Sequence, residues 1–153
     1  MLVADLKVLL ASSYAYQLKA HMFHWNVEGS DFAQLHEFFG NVYQEVFDTI
    51  DQNAEIIRQL DSYAPGSFER FRTLSTVDGQ TNVPRARLMI EELLEDTNKM
   101  LDLAKRIFTV AEQENEQGVA DFIAGRIDAF AKHAWMLRSF LKTRDYNVIN
   151  KFI

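Results

Sequence analysis

The stretch Asp61-Ser62-Tyr63-Ala64-Pro65-Gly66-Ser67, continuing to Asp78-Gly79-Gln80-Thr81-Asn82-Val83, decides the architecture. It is polar, broken at Pro65-Gly66 and Asp78-Gly79, and it separates two long segments of helical periodicity. Antiparallel neighbours need only a few linking residues. A link of some twenty can carry the chain the length of a bundle and join two helices in parallel. One short helix is expected within it, around Phe68–Leu74. An up-down-up-down bundle would not need so long a connection.

Working outward, the first helix reads from about Leu2 to Trp25, with Leu2, Leu6, Leu9, Tyr16, Ala20 and Phe23 on one stripe and Ser13 interrupting it. Asn26-Val27-Glu28-Gly29-Ser30 breaks that helix, and Asp31 or Ser30 is placed to cap the next. The second runs from about Phe32 to Leu60 on Phe32, Leu35, Phe39, Val42, Val46, Ile50, Ile57 and Leu60. Beyond the link, Pro84 suits the first position of a third helix, with Asn82 as a cap. That helix carries Leu88, Leu94, Leu101, Ala104, Phe108 and Ala111 to about residue 115, and Gly118 reads as its stop. A fourth spans about Val119 to Lys142 on Ile123, Ile127, Phe130, Ala134, Leu137 and Leu141; residues 143–153 form a tail. Two helices, a long crossover and two more helices are the connectivity of an all-α, ferritin-like four-helix bundle.

At 153 residues the chain is expected to form a single domain over 1–153. Six glycines and two prolines argue against a disordered or fibrous chain. Sixteen Lys and Arg against twenty-two Asp and Glu give a net charge of −6, with no basic stripe or tail of the kind that neutralises phosphate. Without cysteine, thiolate metal sites and cysteine nucleophiles are excluded. The opening Met1-Leu2-Val3-Ala4-Asp5 is unlike a signal peptide, and no apolar run approaches the roughly 18 residues that span a bilayer. A soluble, cytoplasmic protein with no membrane partner is expected.

Four residues stand out for chemistry: His24, His36, Asp51 and Glu55. Imidazole and carboxylate together suit iron, manganese or zinc better than magnesium or calcium, which prefer all-oxygen shells. Singly each has a plainer explanation, since a histidine near a helix end is usually solvated and an i, i+4 carboxylate pair usually faces water. A hairpin about Gly29 would bring His24 and His36 to one end. Asp51 lies fifteen residues beyond His36 on the same helix, about 22 Å along its axis. One subunit therefore cannot bring all four to one metal. Either there is no joint site, or an antiparallel second subunit supplies Asp51 and Glu55. His36, Gly40, Tyr43, Phe47, Asp51, Ala54 and Glu55 share a flank beside the apolar stripe, too aromatic for mere solvent surface. A two-fold contact would bury it and create two equivalent sites.

The segment His21-Met22-Phe23-His24-Trp25-Asn26-Val27-Glu28-Gly29, followed by Phe32 and Leu35-His36-Glu37, resembles the signature of the Dps mini-ferritins. Asp51-Gln52-Asn53-Ala54-Glu55 and Lys132-His133-Ala134-Trp135-Met136-Leu137-Arg138-Ser139 resemble two further motifs of that family, and the likeness runs from about Leu2 to Lys142. The resemblance implies a hollow dodecamer with ferroxidase sites between two-fold-related subunits, His24 and His36 coming from one chain and Asp51 and Glu55 from the other. It implies that Fe(II) is oxidised with hydrogen peroxide or oxygen and stored as ferric mineral, protecting DNA and cell from radical damage. Zinc or manganese could take the same ligands.

One departure concerns the second iron position. Members of the family usually carry an acidic residue one turn after the second histidine, where this chain has Gly40. By resemblance, Trp25 is a nearby one-electron sink or else a packed tryptophan, and His21 stands behind the ligands. Asp121, with Glu116 and Glu112 nearby, matches carboxylates lining a three-fold iron-entry pore; a helix N-terminal acid is the plainer alternative. His133, Trp135, Tyr14 and Tyr16 read as packing. Two rival functions are a DNA-compacting protein and a structural shell, each with a weakened metal site.

Family members often hold DNA through a lysine-rich terminal extension, whereas here the chain begins almost at its first helix. Six net negative charges per chain, multiplied over a dodecamer, repel phosphate. Direct binding to duplex DNA is therefore expected to be weak or absent at about 150 mM salt. Gel-shift titration at that salt checks this, and tight retardation would refute it.

Overall fold

The computed structural model describes residues 1–142, so the predicted tail lies outside the described residues. Five helices order them: α1 (Leu2–Asn26), α2 (Phe32–Gln59), α3 (Phe68–Leu74), α4 (Ala86–Gln113) and α5 (Gln117–Leu141). No strand occurs among the described residues. The fold is all-α and ferritin-like, with the short α3 in the crossover where the sequence put it.

Side-chain pairings fix the helix directions. His24 and His21 of α1 meet His36 and Tyr43 of α2, so that pair is antiparallel about Gly29, whose φ of 111° a side chain would strain. Asp5, Tyr16 and Lys19 of α1 meet Arg106, Thr97 and Asp96 of α4, which is also antiparallel. α2 and α4 therefore run parallel, as the long link requires. Phe38 and Glu45 of α2 meet Phe140 and Arg126 of α5, completing the bundle.

Its core is built largely from the predicted stripes of α1, α2 and α5, with Leu6, Tyr16, Phe23, Phe39, Ile57 and Phe130 fully enclosed. α4 turns a different face inward: the predicted Leu94, Leu101 and Phe108 are only partly covered, while Met89, Leu93, Met100 and Ile107 are buried beside Ala104 and Ala111. Dry burial of such side chains contributes roughly 1.5–3 kcal/mol each. α3 lies on α1 through Tyr14 stacked on Phe71, ring centroids 4.9 Å apart, and the chain just beyond α3 is held to α1 by Ser12 Oγ bonded to Thr76.

Several boundaries and packing roles differ from the sequence reading. α4 begins at Ala86 with Arg85 at its N-cap, two residues after Pro84. Asn82 does not cap it, lying three residues before the Arg85 N-cap; its backbone N–H donates to the Gln80 side chain, whose amide in turn donates to Glu92. α4 stops at Gln113 because Asn115 takes a left-handed φ of 59° and the Glu116 N–H closes onto the Ala111 carbonyl. Gly118 is thus inside the first turn of α5, not a stop. Asp31 precedes α2 without a side-chain capping bond. Phe32 and Leu88 are exposed although they continue the apolar periodicity, and Trp135, read as packing, is 56% exposed.

Charges that periodicity could not pair are buried between the helices. Lys19 Nζ donates to Asp96 Oδ2 at 2.7 Å and lies 3.6 Å from Glu92. Burial raises the Asp96 carboxyl above its usual value, and the Lys19 hydrogen bond opposes this. Arg126 grips Glu45 with two N–H groups, at 2.6 and 3.1 Å. His133 Nε2 lies 2.9 Å from the same carboxylate, so His133 is a polar tie rather than mere packing. Burial alone would raise the Glu45 carboxyl, but the hydrogen bonds from His133 and Arg126 pull it from 4.5 down to about 2.

A carboxyl lowered on folding contributes stability that is complete above its unfolded value and is lost as pH falls towards the folded one. Removing one partner of a buried pair costs roughly 3–5 kcal/mol. With the Glu45 side chain 35% exposed, about 2 kcal/mol is the better expectation. Glu45→Gln should therefore destabilise the protein at pH 7, and the deficit should shrink as pH falls from 4.5 towards 2. Denaturant melts of both forms across that range provide the check.

Candidate metal centre

The last carbonyls of α1 have no helical partner of their own. Val27 N–H takes that of Phe23, and the His24 carbonyl is met by His36 Nδ1 at 2.7 Å. The contact is reciprocated, for His24 Nδ1 lies 2.6 Å from the His36 carbonyl. The rings stack with centroids 3.9 Å apart and planes 14° from parallel. A carbonyl only accepts, so each Nδ1 must carry the proton. In the neutral rings the lone pair then sits on Nε2, the form in which imidazole binds a metal. Both histidines are partly buried at the α1–α2 end of the bundle.

Asp51 and Glu55 are exposed on the C-terminal half of the same α2 helix, far from that end. Among the described residues, no three His, Asp or Glu side chains of one chain come together as a metal cluster. The structure thus unites His24 with His36 and leaves the two carboxylates apart, as helix length requires. Those carboxylates share their end of the bundle with the start of α5. There Gln52, Ile56, Glu116 and Val119 line a cavity of about 390 Å³. Asp121 and Glu112 are exposed nearby in sequence, and Glu116 is the α5 N-cap, partly buried. Nothing in one chain assembles these three into a ring.

His21 stacks on Tyr43 with centroids 3.8 Å apart and leans on Trp25 at 4.1 Å. Burial, then the neighbouring His24, holds the His21 imidazole below its usual value. Trp25 is 58% exposed, so it is not a core tryptophan. It also borders an apolar cavity of about 470 Å³ against Tyr14, Leu18, Met22, Phe68 and Phe71. That cavity holds no convergent metal-binding set, so its size does not make it the centre.

The chain is similar over most of its length to proteins of one kind. Residues 3–145 match the family model of the ferritin-like domain. The chain is 32% identical to DNA protection during starvation protein 2 of Bacillus anthracis, covering 91% of this chain and 90% of that protein. It is 34% identical to an uncharacterised low temperature-induced protein of Nostoc, over 87% of this chain and 75% of the other. The chain belongs to the Dps family of mini-ferritins. A solved Dps structure from Vibrio cholerae, described as a member of a broad superfamily of ferritin-like diiron-carboxylate proteins, superposes with a TM-score of 0.88. It is 26% identical, over 92% of this chain and 89% of that one.

Against that Dps frame, sequence reasoning found the histidine pair but not how the pair is held. Tautomer and ring position depend on backbone carbonyls, which no residue type announces. It also passed over Glu45, because the partners Arg126 and His133 lie 81 and 88 residues away in sequence.

Proposed function

We propose that this Dps protein binds Fe(II) and oxidises it at sites shared between two subunits, storing the ferric product within a closed shell. The observation that carries the reading is the reciprocal His24–His36 arrangement, which sets both imidazoles in the tautomer that leaves Nε2 for a metal. His24 and His36 of one subunit are the nitrogen ligands, and Asp51 and Glu55 of a two-fold partner are the oxygen ligands. Exposed apolar groups beside the histidine pair and along the flank, Trp25, Phe32 and Phe47, support burial of this flank by a second copy. Twelve chains closing on themselves are the assembly the family suggests.

Iron is the substrate. Each Fe(II) gives one electron; hydrogen peroxide takes two electrons and two protons and leaves as two waters. Dioxygen, taking two electrons and two protons, leaves as hydrogen peroxide. Carboxylates favour the harder Fe(III), so Asp51 and Glu55 lower the cost of the oxidised product, while imidazoles hold Fe(II). Removing Fe(II) and peroxide protects DNA without binding it. Zinc or manganese would compete for the same donors.

Shared sites make a strict demand. Asp51→Asn/Glu55→Gln and His24→Ala/His36→Ala should each abolish rapid Fe(II) oxidation while still assembling. In a mixed dimer one site has all four ligands and the other has none. Random pairing makes about half the dimers mixed, so co-refolded shells should recover about a quarter of the wild-type rate. Optical detection of Fe(III) after peroxide addition measures it. Mixed shells that recover nothing would refute the shared site.

A further inference from the structure

Gly40 lies inside the long α2 helix, where glycine is the poorest ordinary helix former. Its backbone is not in the left-handed region, which among the glycines only Gly29 occupies, so the helix itself does not require it. What does is a neighbour. A Cβ at position 40 would sit 2.9 Å from His24 Nδ1, closer than real Cβ atoms approach, and 3.0 Å from His24 Cε1, tighter than ordinary contact. In an α-helix the His36 carbonyl receives the N–H of residue 40. His24 Nδ1 reaches that same carbonyl at 2.6 Å, and to do so its ring passes over the Cα of Gly40. Retreat is blocked on the other side, where His36 stacks on the ring at 3.9 Å.

We propose that Gly40 is a positioning residue for His24: the missing side chain is the seat on which the imidazole lies, and it fixes the Nδ1–H tautomer by keeping the His36 carbonyl within reach. The space that a side chain at position 40 would occupy is filled by the His24 ring. A carboxylate placed there displaces His24 and weakens the centre. The metal consequence rests on the proposed ferroxidase reading; the seat itself does not.

The test uses the assembled, metal-free protein first. Alanine favours helix over glycine, so with no clash Gly40→Ala would raise Tm by about 2–4 °C. Here Gly40→Ala should lower Tm in the wild-type background and raise it in His24→Ala, where the ring is gone. A rise of equal size in both backgrounds overturns the seat. Solid-state 15N spectra of histidine-labelled protein should show the His24 Nδ1–H tautomer in wild type and its loss in Gly40→Ala; an unchanged His24 signal also overturns it. Zn(II) titration should then show at least tenfold weaker binding for Gly40→Ala and Gly40→Asp, and Gly40→Asp should oxidise Fe(II) more slowly than wild type. Unchanged Zn(II) affinity despite the reversal in Tm overturns the positioning role. A wild-type shell that binds neither Zn(II) nor Fe(II) would instead sink the ferroxidase reading and leave the Tm cycle standing.

Discussion

Arg126 and Glu45, with Lys19 and Asp96, tie one helical hairpin to the other, and the bundle's geometry depends on those ties. α1 and α2 form one hairpin, α4 and α5 the second; Lys19 links α1 to α4 and Arg126 links α5 to α2. Apolar stripes alone would let the hairpins slide by a turn, since leucines three and four residues apart offer similar packing in neighbouring registers. A buried ammonium or guanidinium does not tolerate such a slip, because leaving it unpaired costs several kcal/mol. Register fixed in this way carries to both ends of α2. One end holds the histidine pair, and the other holds Asp51 and Glu55.

What could be read from the sequence follows from how local each signal is. Pro65-Gly66 and Asp78-Gly79 announce a long link by themselves, so the parallel placement of α2 and α4 was legible without any contact map. The start of α4 was not: the approach to it is held by Gln80, which reaches both Asn82 and Glu92, and no local residue pattern announces those bonds. At the α4–α5 junction both Asn115 and Gly118 tolerate the left-handed conformation, and sequence favoured the glycine. Asn115 takes it because the Glu116 N–H can then close on Ala111 within the helix just ended. Of the candidate centre, the histidine pair was legible from the hairpin about Gly29. The pairing of Lys19 with Asp96, 77 residues away, was not.

Helix length is what forces the candidate centre to be divided. A continuous α2 puts Asp51 about 22 Å along the axis from His36, so no rotamer closes the gap. Two copies of α2 laid antiparallel bring the histidine end of each to the carboxylate end of the other, in both directions at once. The flank that would meet carries Phe47, nearly half exposed in the single chain, beside the partly buried Tyr43. On the proposed reading, oligomer formation and metal binding share one surface, and neither is complete in a lone subunit.

The two histidines use the backbone rather than carboxylates as their orienting partners, and this shapes what the centre can do. A carboxylate behind an imidazole makes it a stronger base and adds a negative charge; a carbonyl fixes the tautomer without adding a charge. With α1 ending at Asn26, the His24 carbonyl lacks a helical donor, so accepting from His36 also satisfies a helix end. The His36 carbonyl already has its helical donor, and the second bond from His24 must come in over residue 40. The two halves of the arrangement are therefore unequal in what they ask of the chain. His36 needs only a helix terminus, whereas His24 needs a helix interior with one side chain missing. That asymmetry places the whole steric demand of the pair on Gly40, a residue that contributes no donor atom of its own.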